Sequence, residues 1–142
     1  MNAPHNGMLL KAPIQLARAV TKCWKCHKPT TVVAIVAAQV LEFEAGQLSW
    51  EFDEPSYVRD VGQHEMPAFL ATVLAHLAPL YRPRHSRTMG ETTWANACEH
   101  CGMLQGGFHM HSEPDGPFFG DVDDFEGELI ELWPHDAVIE AG

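Results

Sequence analysis

Residues 30–43 (TTVVAIVAAQVLEF) form a continuous apolar run rich in β-branched side chains, which predicts a strand covered on both faces. Leu48-Ser49-Trp50-Glu51-Phe52 alternates apolar with polar, and Ala45-Gly46-Gln47 before it reads as a hairpin turn. Phe69, Leu70, Val73, Leu74, Leu77 and Tyr81 recur at spacings of three and four. That period predicts one amphipathic helix over residues 65–81, with Pro67 near its start and Pro79 and Pro83 marking its end. Its apolar stripe reads as a core face rather than a docking groove. Residues 91–97 (ETTWANA), 108–111 (FHMH) and 128–133 (ELIELW) predict further strands. Residues 82–90 read as a basic loop, 113–117 as a turn and 121–124 as an acidic loop. Residues 1–13, with Pro4, Gly7 and Pro13, read as a loose arm, and residues 134–142 as a tail. The expected fold is α+β, one domain over residues 1–142.

No apolar run approaches the roughly 18 residues of a membrane span. The first twenty residues lack a basic region followed by an apolar one, so no secretory signal is expected. A cytoplasmic protein with no membrane partner is therefore expected. In that reducing compartment, paired cysteines favour metal or redox chemistry over structural disulfides.

All four cysteines lie in two C-x-x-C pairs, Cys23/Cys26 in KCWKCH and Cys98/Cys101 in ACEHCG. Thiolates are soft ligands, and the two-residue spacer lets both sulfurs of a pair face one ion about 2.3 Å away. Gly102, after the second pair, lets the backbone curl round the sulfurs. Each pair is flanked by strand-like sequence and reads as a knuckle at the tip of a β-hairpin. Two facing knuckles would enclose one structural Zn²⁺ in four thiolates with no open position. The arrangement resembles a zinc ribbon split by a long insertion, residues 27–97, which holds strands and the helix. The segment Trp94-Ala95-Asn96-Ala97-Cys98-Glu99-His100-Cys101-Gly102 through Gln105-Gly106 is also similar to uncharacterised bacterial proteins carrying W-x-N-x-C-x-x-C-G-x-x-Q-G. That resemblance implies zinc and no particular activity. His27 and His100, beside the pairs, are expected to be exposed or to support the site rather than ligate. A redox role is disfavoured, because Cys26 is followed by Lys28-Pro29-Thr30-Thr31, entering a strand rather than a helix.

Charge adds the functional expectation. The net charge is −10, and from Thr88 onward there are twelve acids and no lysine or arginine. Such a surface repels phosphates and attracts a basic partner. The expectation is a zinc-stabilised interaction module, an inhibitor or immunity-type protein that covers a basic, nucleic-acid-binding surface of a toxin, nuclease or other enzyme. Asp121, Asp123, Asp124 and Glu126 are the candidate contacts. The alternative is a nucleic-acid-binding ribbon using Lys22, Lys25, Lys28 and the Arg82–Arg87 loop; the same lysines also serve as charge compensation for the thiolates. His109 and His111, two apart on an expected strand with Glu113 next in register, suggest a minor third reading, a metal-dependent hydrolase. No catalytic motif supports an enzyme.

Overall fold

The computed structural model describes residues 3–141. Its dominant feature is an antiparallel hairpin of β1 (Gly7–Lys22) and β2 (Pro29–Glu44), paired from Gly7↔Phe43 to Lys22↔Pro29. The outer edge of β2 is taken by β3 (Gln47–Phe52) and then β4 (Ser56–Val58). That of β1 is taken by β8 (Glu128–Trp133) and β9 (Ala137–Glu140). A second, three-stranded sheet runs β5 (Arg82–Ser86), β6 (Glu91–Ala97), β7 (Leu104–Gln105). One α-helix, α1 (Ala68–Leu77), covers the large sheet. The fold is mostly antiparallel sheet with one α-helix, an α+β arrangement. No helix among the described residues is long and apolar enough to cross a membrane.

β2 is buried on both faces, as its unbroken apolar run predicts. Val33, Ile35 and Ala37 enter the main core with Leu10, Leu16, Leu70 and Leu74 under the helix. Val32, Ala34 and Val36 face a second core with Met110, Phe118 and Val122. Alternate side chains of one strand thus anchor two layers.

The helix is shorter than its apolar period. Pro67 is the N-cap, with ψ 143 still extended, and the Glu65 carboxylate upstream accepts the Gly62 N–H at 2.6 Å in a turn. At the other end Ala78 precedes Pro79 and is held out of the helical region at φ −147, ψ 71. Leu77 is left half-exposed, while Tyr81 is buried from beyond the helix end.

Four other expectations are corrected. The loose arm expected over residues 1–13, of which residues 1–2 lie outside the described residues, is corrected from Gly7 on: Gly7 to Pro13 belong to β1, where Leu10 is fully buried. The tail expected over residues 134–142, of which residue 142 lies outside the described residues, is corrected likewise: Ala137 and Ile139 bury their side chains and pair through β9 with the start of β1. The Asp136 carboxylate pins that end, accepting the Ala12 N–H at 2.8 Å and pairing with Lys11 at 2.9 Å. Residues 82–86 form strand β5 rather than loop; Pro83 is tolerated because the strand lies at a sheet edge, and Arg84 turns back to the Leu80 carbonyl at 2.7 Å. Residues 108–112 form a π-helical turn, not a strand. The chain doubles back there, with the Phe118 N–H on the Met110 carbonyl at 2.9 Å, so that Met110 and Phe118 can both fill the second core.

Candidate metal centre

The two cysteine pairs occupy the tips of two hairpins, one between β1 and β2, the other between β6 and β7. Both tips use the same backbone scheme. In the first, the Cys23 N–H donates to Lys28 O at 2.9 Å and the His27 N–H to Cys23 O at 3.0 Å. In the second, the Cys98 N–H donates to Met103 O and the Gly102 N–H to Cys98 O, each at 2.9 Å. Each turn requires a left-handed residue after its second cysteine. Gly102 supplies it at φ 77, whereas the first tip uses His27 at φ 63.

The tips face each other. Cys23 Sγ lies 3.6 Å from Cys101 Sγ, Cys26 Sγ lies 3.7 Å from Cys98 Sγ, and all four sulfurs fall within 4.8 Å of one another. A tetrahedron with metal–sulfur bonds of about 2.3 Å has edges of about 3.8 Å, so the cluster has the dimensions of a four-thiolate ion site. The four cysteines can hold one metal ion. Cys23 and Cys98 are buried, Cys26 is half-buried and Cys101 is exposed.

The electrostatics suit a cation. For Cys23, desolvation opposes ionisation most strongly, but N–H groups of Cys26 and Lys25 and the neighbouring thiols outweigh it and bring the thiol down to about 6. For Cys98, desolvation is likewise outweighed by the N–H groups of Cys101 and His100, and its pKa is lowered. Cys101 receives the Met103 N–H, which favours its thiolate, yet desolvation and the adjacent sulfurs push it up to about 11. Four negative sulfurs this close repel one another, and a central cation removes that conflict.

Residues outside the cysteine pairs fix the geometry. Gln105 is buried and donates its amide to Cys23 Sγ at 3.3 Å and to Met103 O at 3.0 Å. Asn96 accepts the Val33 N–H and donates to Val33 O, both at 2.9 Å, so one side-chain amide replaces a neighbouring strand on the open edge of β2. Thr30 Oγ1 accepts the Glu99 N–H at 3.0 Å, and His100 Nε2 meets Pro29 O at 2.9 Å. Trp24 Nε1 donates to Leu104 O at 2.8 Å, tying the first tip to β7. His100 is thus a strut between the tips, and His27 is an exposed turn residue. Asn96 and Gln105 are the positions that reading for ligands alone misses. Both lie in the W-x-N…Q pattern, which was the available signal.

The remaining candidates, apart from the three lysines at the first tip, lie away from this centre. His109 and His111 do not share a face, because their segment is a π-helical turn. His109 Nδ1 lies 3.3 Å from Glu113 Oε2, while His111 packs between Tyr57 and Phe118, each at 5.5 Å between ring centres. Desolvation and then the Arg59 charge pull His111 down to about 4. Asp121, Asp123, Asp124 and Glu126 are exposed on and beside a 3-10 turn (Val122–Asp124), anchored by buried Val122. None of the four has an ion-pair partner among the described residues. Lys22, Lys25 and Lys28 surround the first tip, all exposed and likewise unpaired among the described residues. No family model, curated protein or solved structure matches this chain.

Proposed function

We propose that the four-cysteine centre is a structural zinc site and that the protein acts by binding a basic macromolecular partner. Zinc suits four soft donors at tetrahedral spacing, and with all four positions filled by protein the ion has no place for substrate. Two hairpin tips with the same backbone scheme are what a split zinc ribbon requires. Such an ion closes a loop of about seventy residues, and its binding energy becomes folding energy, on the order of 10 kcal/mol in zinc-finger peptides. The centre is therefore a clamp that holds β6 and β7 against the large sheet.

The observation that carries the partner reading is the unpaired acidic segment Asp121, Asp123, Asp124 and Glu126, in a region with no lysine or arginine from Thr88 to the end. Like charges left without counterions raise the energy of the free surface and attract a basic protein in solution. A role as an inhibitor or immunity-type protein, masking the basic surface of a toxin or nuclease, follows from that charge. The test has two parts. Metal quantification with thiol titration should give one zinc per chain, released when four thiols are modified. A basic protein recovered by affinity capture should then be purified and its binding compared with a variant neutralised at Asp121, Asp123, Asp124 and Glu126. Unchanged binding by that variant ends the reading.

A second reading is nucleic-acid binding at the first tip, favoured by the exposed, unpaired Lys22, Lys25 and Lys28. The net charge of −10 and the inward commitment of Arg84 weigh against it. Salt-sensitive retention on DNA or RNA supports this alternative, and no retention at low salt removes it.

A further inference from the structure

β3 (Gln47–Phe52) ends the large sheet, paired among the described residues with β2 on one side only. All six of its residues are exposed, and Leu48, Trp50 and Phe52 are 50%, 59% and 40% accessible. Edge strands are usually guarded by lysine, proline or a bulge. β3 contains no lysine or proline, and its single bulge lies opposite Glu42/Phe43, leaving Trp50 to Phe52 in regular register with Glu42 to Val40. Past the bulge, the edge from Trp50 to Phe52 carries two large apolar side chains and is a template for another strand.

The strand also walls a cleft of about 610 Å³ that His111, Gly120 and Asp121 line as well. Glu51, Asp53, Glu54 and Asp121 line it, with Arg59 as its one lysine or arginine. Tyr57 lines the same cleft, and its hydroxyl is buried without a hydrogen-bond partner among the described residues. Asp53, by hydrogen bonding and charge, raises the Glu51 pKa, the mark of carboxylates crowded without a cation.

We propose that β3 binds an extended segment of alternating basic and apolar residues from a basic partner protein, by strand addition to its free edge. This rests on the partner reading above and supplies the site on this chain. The alternation of β3 sets the required pattern. Beyond the bulge, Trp50 and Phe52 share one face and match apolar or aliphatic side chains, while Glu51 on the other face, with Asp53 just past the strand end, matches lysine or arginine. Trp50 and Phe52, 6.0 Å apart between ring centres, can also receive a cation over their faces. Charge decides against the competing occupants. A second copy would place one acidic edge against another, since residues 42–54 carry five acids and no base. Phosphates of a nucleic acid or an anionic membrane meet the same repulsion.

The test titrates the whole protein with two synthetic peptides of equal charge, acetyl-(Lys-Val)4-amide and acetyl-(Lys-Pro)4-amide; the second lacks alternate N–H donors. The expected result is binding of the valine peptide with at least fivefold slower hydrogen exchange at amides in Gln47–Phe52, and much weaker binding of the proline peptide. Trp50→Ser and the pair Glu51→Lys/Asp53→Lys should each lower affinity tenfold or more, with unchanged metal content and circular dichroism as proof of folding. Equal binding of the two peptides, no binding of either, or unaltered exchange in β3 overturns strand addition. So does a dimer that Trp50→Ser dissolves, which assigns the edge to a second copy. If neutralising Asp121, Asp123, Asp124 and Glu126 leaves the captured basic protein's binding unchanged while the valine peptide still protects β3, the acidic-segment reading fails and the edge site stands. If that variant loses all binding while the two peptides behave alike, the reverse holds.

Discussion

Replacing Asn96 with alanine tests how the second cysteine pair is held against the large sheet. β4 covers the edge of β2 only from Ile35 to Ala37, so the Val33 N–H and C=O would otherwise point into the interior unpaired. Asn96 satisfies both at 2.9 Å, with Asn96 8% and Val33 4% exposed. Each buried backbone group left unsatisfied costs about 1–3 kcal/mol, and partial hydration brings the expected total to about 3 kcal/mol. That is a large part of the roughly 5–15 kcal/mol by which a domain is stable. Urea denaturation of wild type and Asn96→Ala, with free zinc held constant so that mass action adds equally, measures the difference. A second variant gives the sign. Asn96→Asp keeps the acceptor for the Val33 N–H but sets a carboxylate beside the Val33 carbonyl, raising its folded pKa above the ordinary value of about 3.9. Its penalty should be absent below about pH 4, build as the pH rises from there, and be complete above the raised folded value. An Asn96→Ala loss under about 0.5 kcal/mol, the range of ordinary surface changes, refutes the edge-closing role, as does a pH-independent Asn96→Asp.

Serine at Cys23 or Cys98 should abolish stoichiometric zinc and, in a cobalt-loaded sample, the absorption of a tetrahedral four-thiolate site; retained spectra would show that the ion sits elsewhere. Gly102→Ala meets no atom within 4 Å at its new Cβ, so its expected loss of about 1 kcal/mol is purely the left-handed backbone at φ 77. His27→Gly relieves the same conformation at the first tip and should stabilise by a few tenths of a kcal/mol in thermal or urea unfolding, after the unfolded-state entropy of glycine is offset. His111 is pulled from 6.5 down to about 4, so its neutral form favours folding. That contribution is present above about pH 6.5 and lost as pH falls toward 4; His111→Phe should flatten the wild-type stability curve in that window, and identical slopes would refute it.

Periodicity and composition were enough for β2, β6, β8, the β2–β3 turn and the existence of the helix. Each of these depends on residues near in sequence: a β-branched apolar run, an alternation, a three-four repeat. The four-cysteine cluster was legible for a related reason, since two C-x-x-C pairs, neither entering a helix, favour an ion over redox use, and a turn of that length dictates its own geometry. Tertiary structure decided the rest. Gly7 to Leu10 and Ala137 to Glu140 look like loose ends until each supplies the other's partner, a pairing between distant parts of the chain that no local window contains. β5 is polar because only its edge bonding, not its side chains, makes it a strand. His109 and His111 alternate as a strand would, yet the demands of the second core on Met110 and Phe118 wound that segment into a helical turn. The W-x-N…Q pattern marks Asn96 and Gln105 without giving them roles; only the meeting of two hairpins gives one an open strand edge and the other a sulfur. Short-range sterics and hydrophobic pattern write themselves locally, whereas hydrogen-bond partners are settled only when distant segments pack.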